Sequence, residues 1–244
     1  MAIIVNADDF GLNRDVNNAI AEAFEKDLID RTTLMVNMPG ASEAMEIAAD
    51  KGFAGRVGLH LNLTSGRPLT EAMASDPVMC NNAGEYTADF ARNMRTRFFL
   101  PKQTRQNTEA EIRAQMDMYK KLGGTLWHVD SHHHVHTDPS IWRILKKVFK
   151  DYPVTSVRLS RNLYRGGNIL MRIYKILLNA SIRRRCSNFP RYFGSASDWR
   201  DFTENGSDPA KKGDTEIMVH PVYDHGGNLA DVSRGEFFAL ERPV

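Results

Sequence analysis

Cysteine is nearly missing from this chain. Its 244 residues hold two, Cys80 and Cys186, far apart and in no metal-ligating spacing. A cysteine metal centre is thereby excluded, and a reducing cytoplasm is the expected location. Strong charge of one sign is missing too. A formal net charge of +2 argues against nucleic acid as the main partner. No apolar run approaches the roughly 20 residues that cross a bilayer. The N-terminal run in MAIIVNADDF breaks at Asn6 and Asp8, too early for a signal peptide. The expectation is a soluble protein with no membrane partner. Neither an internal repeat nor an inter-domain linker interrupts the chain. What is present is ordinary globular material, 42% hydrophobic and 25% charged, enough for a sizeable core in one domain over 1–244.

Histidine is scarce overall and concentrated where it occurs. Of eight in the chain, five lie between Trp127 and His136, in WHVDSHHHVH. Read as a strand, this stretch puts His128, Asp130, His132, His134 and His136 on one face. Imidazoles on an inner face need a partner, because unpaired buried polar groups are costly. Downstream, Asp138 is placed to cap a helix, Pro139 fits its first position, and Ile141, Leu145 and Val148 recur at helical spacing. The histidines therefore sit where a strand gives way to a loop and a helix. A divalent metal is the simplest resident, against a solvated loop or an adventitious metal-binding tract.

The rest of the chain alternates strands and helices. Ile3–Val5 reads as a buried strand running into Asn6-Ala7-Asp8-Asp9, with a helix marked by Val16, Ile20, Phe24 and Leu28 after it. Asn13 or Asp15 is placed to cap that helix, leaving Asp8 and Asp9 without a structural task. The two can face one site only if the strand already turns at Asp9. Thr32–Val36 is a second strand, followed by a helix from Ser42 with Met45, Ala48 and Ala49 inward. Val57–Thr64 is a third, with Gly58, His60, Asn62 and Thr64 opposite Leu59, Leu61 and Leu63. Residues 67–105 lack periodicity and read as an irregular insertion, a lid or substrate-contacting region.

A helix over Thr108–Leu122, with Ile112, Met116 and Tyr119 on one face, leads into the histidine stretch. Thr155–Leu159, Arg191–Gly194 and Glu216–Val219 are further strands. Ile169–Ile182 is a helix ending in Arg183-Arg184-Arg185, read as dipole pairing on a solvated surface. About seven strands, most followed by a helix, imply a parallel α/β architecture. Asp8-Asp9, His60, the histidine cluster, Arg158 and His220 all fall in or just after the C-terminal part of these strands, whose ends converge on one mouth in a barrel. Two histidines and a carboxylate leave open positions on a divalent ion. With a second carboxylate as proton acceptor and a histidine across the site, these parts suit hydrolysis of an amide, an ester or a phosphate ester.

Four blocks carry a resemblance. Asn6-Ala7-Asp8-Asp9-Phe10-Gly11, Gly58-Leu59-His60-Leu61-Asn62-Leu63-Thr64, His128 to His136, and Val219-His220-Pro221 resemble the YdjC-like carbohydrate deacetylase family, in its order and across nearly the whole chain. The resemblance implies a distorted (β/α) barrel, TIM-barrel-like, with its active site at the strand C-termini. It implies removal of N-acetyl groups from acetylated amino sugars such as chitobiose or short chitooligosaccharides. Asp9, His60 and His132 correspond to the metal ligands, with Mg2+ the implied ion and Zn2+ the alternative. Asp8 takes the place of the general base and His220 that of the general acid or oxyanion partner. Asp130 would orient a ligating histidine, and Asn62, Arg158 and the insertion would contact sugar. A homodimer is implied as well. One departure is that the chain ends at Val244, soon after Arg242-Pro243, where family members continue into a last helix and strand. Two other readings stand beside this one. The first is a metal-dependent phosphoesterase using Arg158 and Arg161, the second a non-catalytic metal- or sugar-binding protein.

Overall fold

The computed structural model describes residues 2–163, 168–186, 190–206, 211–233 and 235–242. The terminal pair Pro243-Val244, at which a departure from the family is expected, lies outside them. In chain order the first half runs β1 (Ile3–Phe10), α1 (Arg14–Glu25), β2 (Arg31–Leu34), α2 (Ala41–Asp50), β3 (Val57–Leu61), α3 (Glu71–Ala74), α4 (Asp89–Arg92), α5 (Met94–Phe98) and α6 (Lys102–Lys121). The second half runs β4 (His128–Ser131), α7 (Pro139–Val148), β5 (Ser156–Val157), α8 (Ile169–Arg185), β6 (Tyr192–Ser195), α9 (Ala196–Glu204), β7 (Thr215–Val219), β8 (Pro221–Tyr223), β9 (Leu229–Ser233) and β10 (Glu236–Ala239).

β1 to β7 form one parallel sheet in the order β5-β4-β3-β2-β1-β7-β6. Read around a circle this is the strand order of a (β/α) barrel, opened between β5 and β6. The gap is bridged by the chain after β5, where the Asn162 and Leu163 amides donate to the Phe193 carbonyl in β6 at 3.0 and 2.9 Å. The architecture is thus the expected distorted barrel. Its apolar side chains pack between strands and surrounding helices, with Phe24 stacked on Phe53 at 4.0 Å between ring centroids. Gly58 shows how tight the wall is: a Cβ there would lie 2.9 Å from the His128 carbonyl of the neighbouring strand.

Several expectations shift. α1 is capped by Asn13, whose side chain accepts from the Val16 amide. Ala49 is exposed, because Ala41, Ala44, Met45 and Ala48 supply the inward face of α2. The helix expected from Thr108 begins six residues earlier, at Lys102. Asp138 stands at the α7 N-cap but makes no capping bond, since its carboxylate is engaged by Arg97 at 2.7 Å. The region over 67–105 holds α3, α4 and α5 and is tied to α6. Buried Glu111 accepts from the Leu69 amide (3.0 Å) and the Thr70 amide (2.8 Å), and Asp76 accepts from Asn107 (2.8 Å). A small antiparallel sheet, β10-β9-β8, follows β7 and was not expected. The Asp224–Asn228 segment, with its Gly226-Gly227 pair, is the hairpin signal that marks it.

The largest difference lies in the histidine stretch. It is a strand only as far as Ser131. From His132 to Thr137 it coils into a 3-10 turn, with His133 and His134 left-handed at φ +53° and +56°. The expected alternation of His128, Asp130, His132, His134 and His136 on one face therefore stops at Asp130. His136 turns inward instead, its Nδ1 2.6 Å from Ser131 Oγ and its Nε2 3.2 Å from the Arg158 carbonyl. Among the described residues no helix is long and apolar enough to cross a membrane.

Candidate metal centre and active-site cavity

The end of β1 sets two adjacent carboxylates in different surroundings. Regular strand geometry would point them to opposite faces. The chain instead shifts register between Ala7 and Phe10, and Asp9 adopts φ +68°, a conformation that costs a non-glycine residue about 1–2 kcal/mol. Gly11, at φ +89°, completes the turn. Asp8 is left inside the barrel, 2% exposed, while Asp9 turns to the mouth.

His60 on β3 and Asp130 on β4 are register partners in adjacent strands. Asp130 Oδ1 lies 2.7 Å from His60 Nδ1, and its Oδ2 accepts from Thr33 Oγ1 at 3.0 Å. That contact fixes the ring with Nε2 directed at Asp9 Oδ1, 3.1 Å away. His132, the first residue past β4, brings its Nδ1 within 2.8 Å of the same oxygen. Asp9, His60 and His132 each offer one ligand atom, all within 4.8 Å of one another. One carboxylate oxygen and two imidazole nitrogens, with a carboxylate behind one imidazole, form a donor set that fits a divalent cation and leaves positions open.

Electrostatics follow from burial and partners. Burial opposes ionisation of Asp8, yet the Arg158 guanidinium holds its carboxyl far below the usual carboxylate range. Asp9 is likewise held well below that range, against burial, by His132 and His60. Burial works against a charged His60, but Asp130 and then Asp9 push it up to about 10. His134 is driven the other way, to about 3, by burial and then by Arg158. Its Nδ1 is buried with no hydrogen-bond partner among the described residues.

These groups line a cavity of about 550 Å³ at the C-terminal end of the sheet. Asp8, Asp9, His60, His132, His133, His134 and His220 line it together with Pro221, Val222 and Val232. His220 lies between β7 and β8, its amide donating to Asp231 Oδ1 at 2.7 Å. The structure thus brings Asp8, Asp9, His60, His132, Asp130 and His220 together. It does not bring Asn62 or Arg158 to the cavity. Asn62 is fully buried and organises the turn after β3, its Oδ1 accepting from the Thr64 and Ser65 amides. Arg158 is also fully buried, between Asp8, Asp130 and Glu216. Ser131, Ser195, Ser197 and Met218 also line the cavity and were not marked by the sequence, since serine at a strand end carries no distinguishing signal.

Comparison with known proteins places this geometry in a lineage. The chain is 32% identical over 227 residues to a carbohydrate deacetylase of Halalkalibacterium halodurans, covering 91% of this chain and 86% of that protein. To one of Brevibacillus brevis it is 37% identical over 224 residues, covering 91% and 82%. A crystal structure from Enterococcus faecalis, described as a cellobiose-phosphate cleavage protein, superimposes with a TM-score of 0.70 at 23% identity. It covers 92% of this chain and 82% of that one, and shows the likeness of fold. The family model for YdjC-like proteins matches residues 2–241, and the chain belongs to that family.

Proposed function

We propose that this protein is a metal-dependent carbohydrate N-deacetylase that hydrolyses the acetamido group of an acetylated amino sugar, with chitobiose or a short chitooligosaccharide as the substrate to try first. The observation that carries the reading is the convergence of Asp9, His60 and His132 on one point of a cavity that Asp8 and His220 also line. Relatives named carbohydrate deacetylases support it.

Asp9, His60 and His132 would hold the ion, Mg2+ by family association or Zn2+ by the preference of imidazole donors. A divalent ion there supplies Lewis-acid polarisation of the acetyl carbonyl and a bound water of lowered pKa. Asp8, kept ionised by Arg158, accepts the proton of the attacking water. His220, which also lines the cavity, delivers a proton to the sugar nitrogen as the C–N bond breaks, so that acetate and a free amine leave. A polar group of the substrate would supply the partner that His134 Nδ1 lacks. The phosphoesterase alternative loses its anchors, because Arg158 is taken up by three carboxylates and Arg161 by Asp198.

The test is acetate release from diacetylchitobiose by metal-stripped protein reconstituted with magnesium, zinc, cobalt or nickel in turn. Turnover should require the ion and vanish in His132→Ala, while Asp8→Asn should keep the ion and lose about 10²–10⁴-fold in rate. Hydrolysis of an aryl phosphate without acetate release would sink the deacetylase reading.

A further inference from the structure

α8 carries a second apolar face that the barrel does not cover. Leu178 and Ile182 face the core, as an amphipathic helix requires. Yet Ile169, Leu170, Ile173, Ile176 and Leu177 recur at spacings of three and four along the opposite side, at exposures between 49% and 71%. Scattered exposed apolar residues are ordinary, but a contiguous stripe of five large aliphatics is not. The stripe continues onto a neighbouring element. Tyr174 of α8 lies 6.3 Å, ring to ring, from Phe98 at the end of α5, and Phe98, Phe99 and Met94 are themselves exposed.

The charge around this stripe is one-sided. α8 reads ILMRIYKILLNASIRRR, five basic residues and no acidic one. Arg172 and Lys175 flank the stripe, and Arg183-Arg184-Arg185 closes the helix. α5 adds Arg95, its Arg97 being paired with Asp138. Between the flank of α8 and Arg161 runs a groove of about 210 Å³ whose lining among the described residues includes Arg172, Lys175 and Arg183. Arg161 also lines the catalytic cavity, so this face adjoins the cavity mouth.

We propose that α8, with the Met94–Phe99 edge beside it, docks on an anionic lipid surface. Aliphatic side chains enter the headgroup–acyl boundary and the flanking arginines and lysine meet lipid phosphates, the arrangement of an interfacial amphipathic helix. A second copy of this chain is a poor occupant, because two-fold pairing through α8 sets five cations against five. The absence of a spanning helix among the described residues is compatible with this, since such a helix lies in the plane of the surface. Bound there, the cavity mouth is held next to the membrane.

Flotation of the full chain with vesicles tests the assignment. Binding is expected to vesicles of phosphatidylcholine mixed with phosphatidylglycerol, to weaken as salt rises, and to fall with phosphatidylcholine alone. The double variant Ile173→Asp, Leu177→Asp changes exposed positions only. It should reduce binding at least about tenfold, given the loss of two inserted aliphatics, with its circular dichroism and its turnover of a soluble substrate unchanged. Binding insensitive to that variant, or no binding to anionic vesicles, overturns the proposal. So does a dimer in sedimentation velocity that the variant dissociates while vesicles are ignored, or an acidic protein partner captured in their place.

Discussion

Every guanidinium nitrogen of Arg158 meets a carboxylate. Nη1 and Nη2 hold Asp8 in a bidentate pair at 2.6 Å, Nη2 lies 2.8 Å from Asp130, and Nε donates to Glu216 at 2.6 Å. Three strands, β1, β4 and β7, are thus joined through one side chain in the middle of the barrel. The sequence reads Arg158 as part of a strand running to Leu159, whereas β5 ends at Val157, and hydrophobic spacing does not give the direction of its side chain. β5 is only two residues long, and the chain after it folds inward. A buried charge surrounded by three opposite charges is costly to break from one side. Arg158→Met should lower stability by about 3–5 kcal/mol, measured by urea unfolding. Arg158→Lys is the sharper experiment, since it keeps a cation but cannot span three carboxylates. Asp8, released from its bidentate partner, should titrate at higher pH, so the acidic limb of kcat/KM moves up. An unmoved acidic limb in a folded Arg158→Lys protein would separate Asp8 from that limb.

At the scale of elements, the strands that read clearly are those whose pattern is local. The Val57–Leu61 run, the α1 stripe and the α7 stripe needed only hydrophobic spacing. The turn at His132–His134 is different: three successive histidines offer no glycine or proline, so nothing local announces two left-handed residues. What holds them there is tertiary, with His132 Nδ1 on Asp9 and His133 Nδ1 3.0 Å from Thr64 Oγ1. The 67–105 region escaped for a similar reason. Its order comes from α6, whose Glu111 also accepts from Thr70 Oγ1 at 2.8 Å and from Gln115 at 2.9 Å. Removing that carboxylate strands the Leu69 and Thr70 amides, a penalty of about 1–3 kcal/mol each where burial is complete. Glu111→Ala should therefore speed hydrogen exchange at Leu69 and Thr70 and open the 71–99 stretch to protease. Protection in β1 to β4 should be retained. Equal loss of protection throughout would mean that this region and the barrel unfold as one unit.

Across the whole molecule, the buried histidines pull stability in opposite directions with pH. His128 and His136 are held well below 6.5, chiefly by burial, and His134 is driven to about 3. Below pH 6.5 the unfolded chain takes up those protons more readily, so stability falls as the pH drops towards 3. Glu216 adds to this at lower pH. Burial raises its pKa, but Arg31 and Arg158 outweigh it and bring it to about 2, so its contribution is present above 4.5 and lost as pH falls through 2. His60 acts in reverse. With a folded value near 10 against 6.5 unfolded, its contribution is whole below 6.5 and disappears as pH rises through 10. The metal-stripped protein should then be most resistant to urea near pH 6.5, with the midpoint declining on both sides. A bound divalent ion requires neutral imidazoles, and its affinity rises as they lose their protons. The loaded protein should therefore resist urea better on the alkaline side, and its optimum should move upward. Urea midpoints from pH 5 to pH 9, with and without the ion, decide the matter. Identical curves would mean that His60 does not bind the ion, and a flat curve for the stripped protein would mean that the buried histidines are not the groups that set its stability.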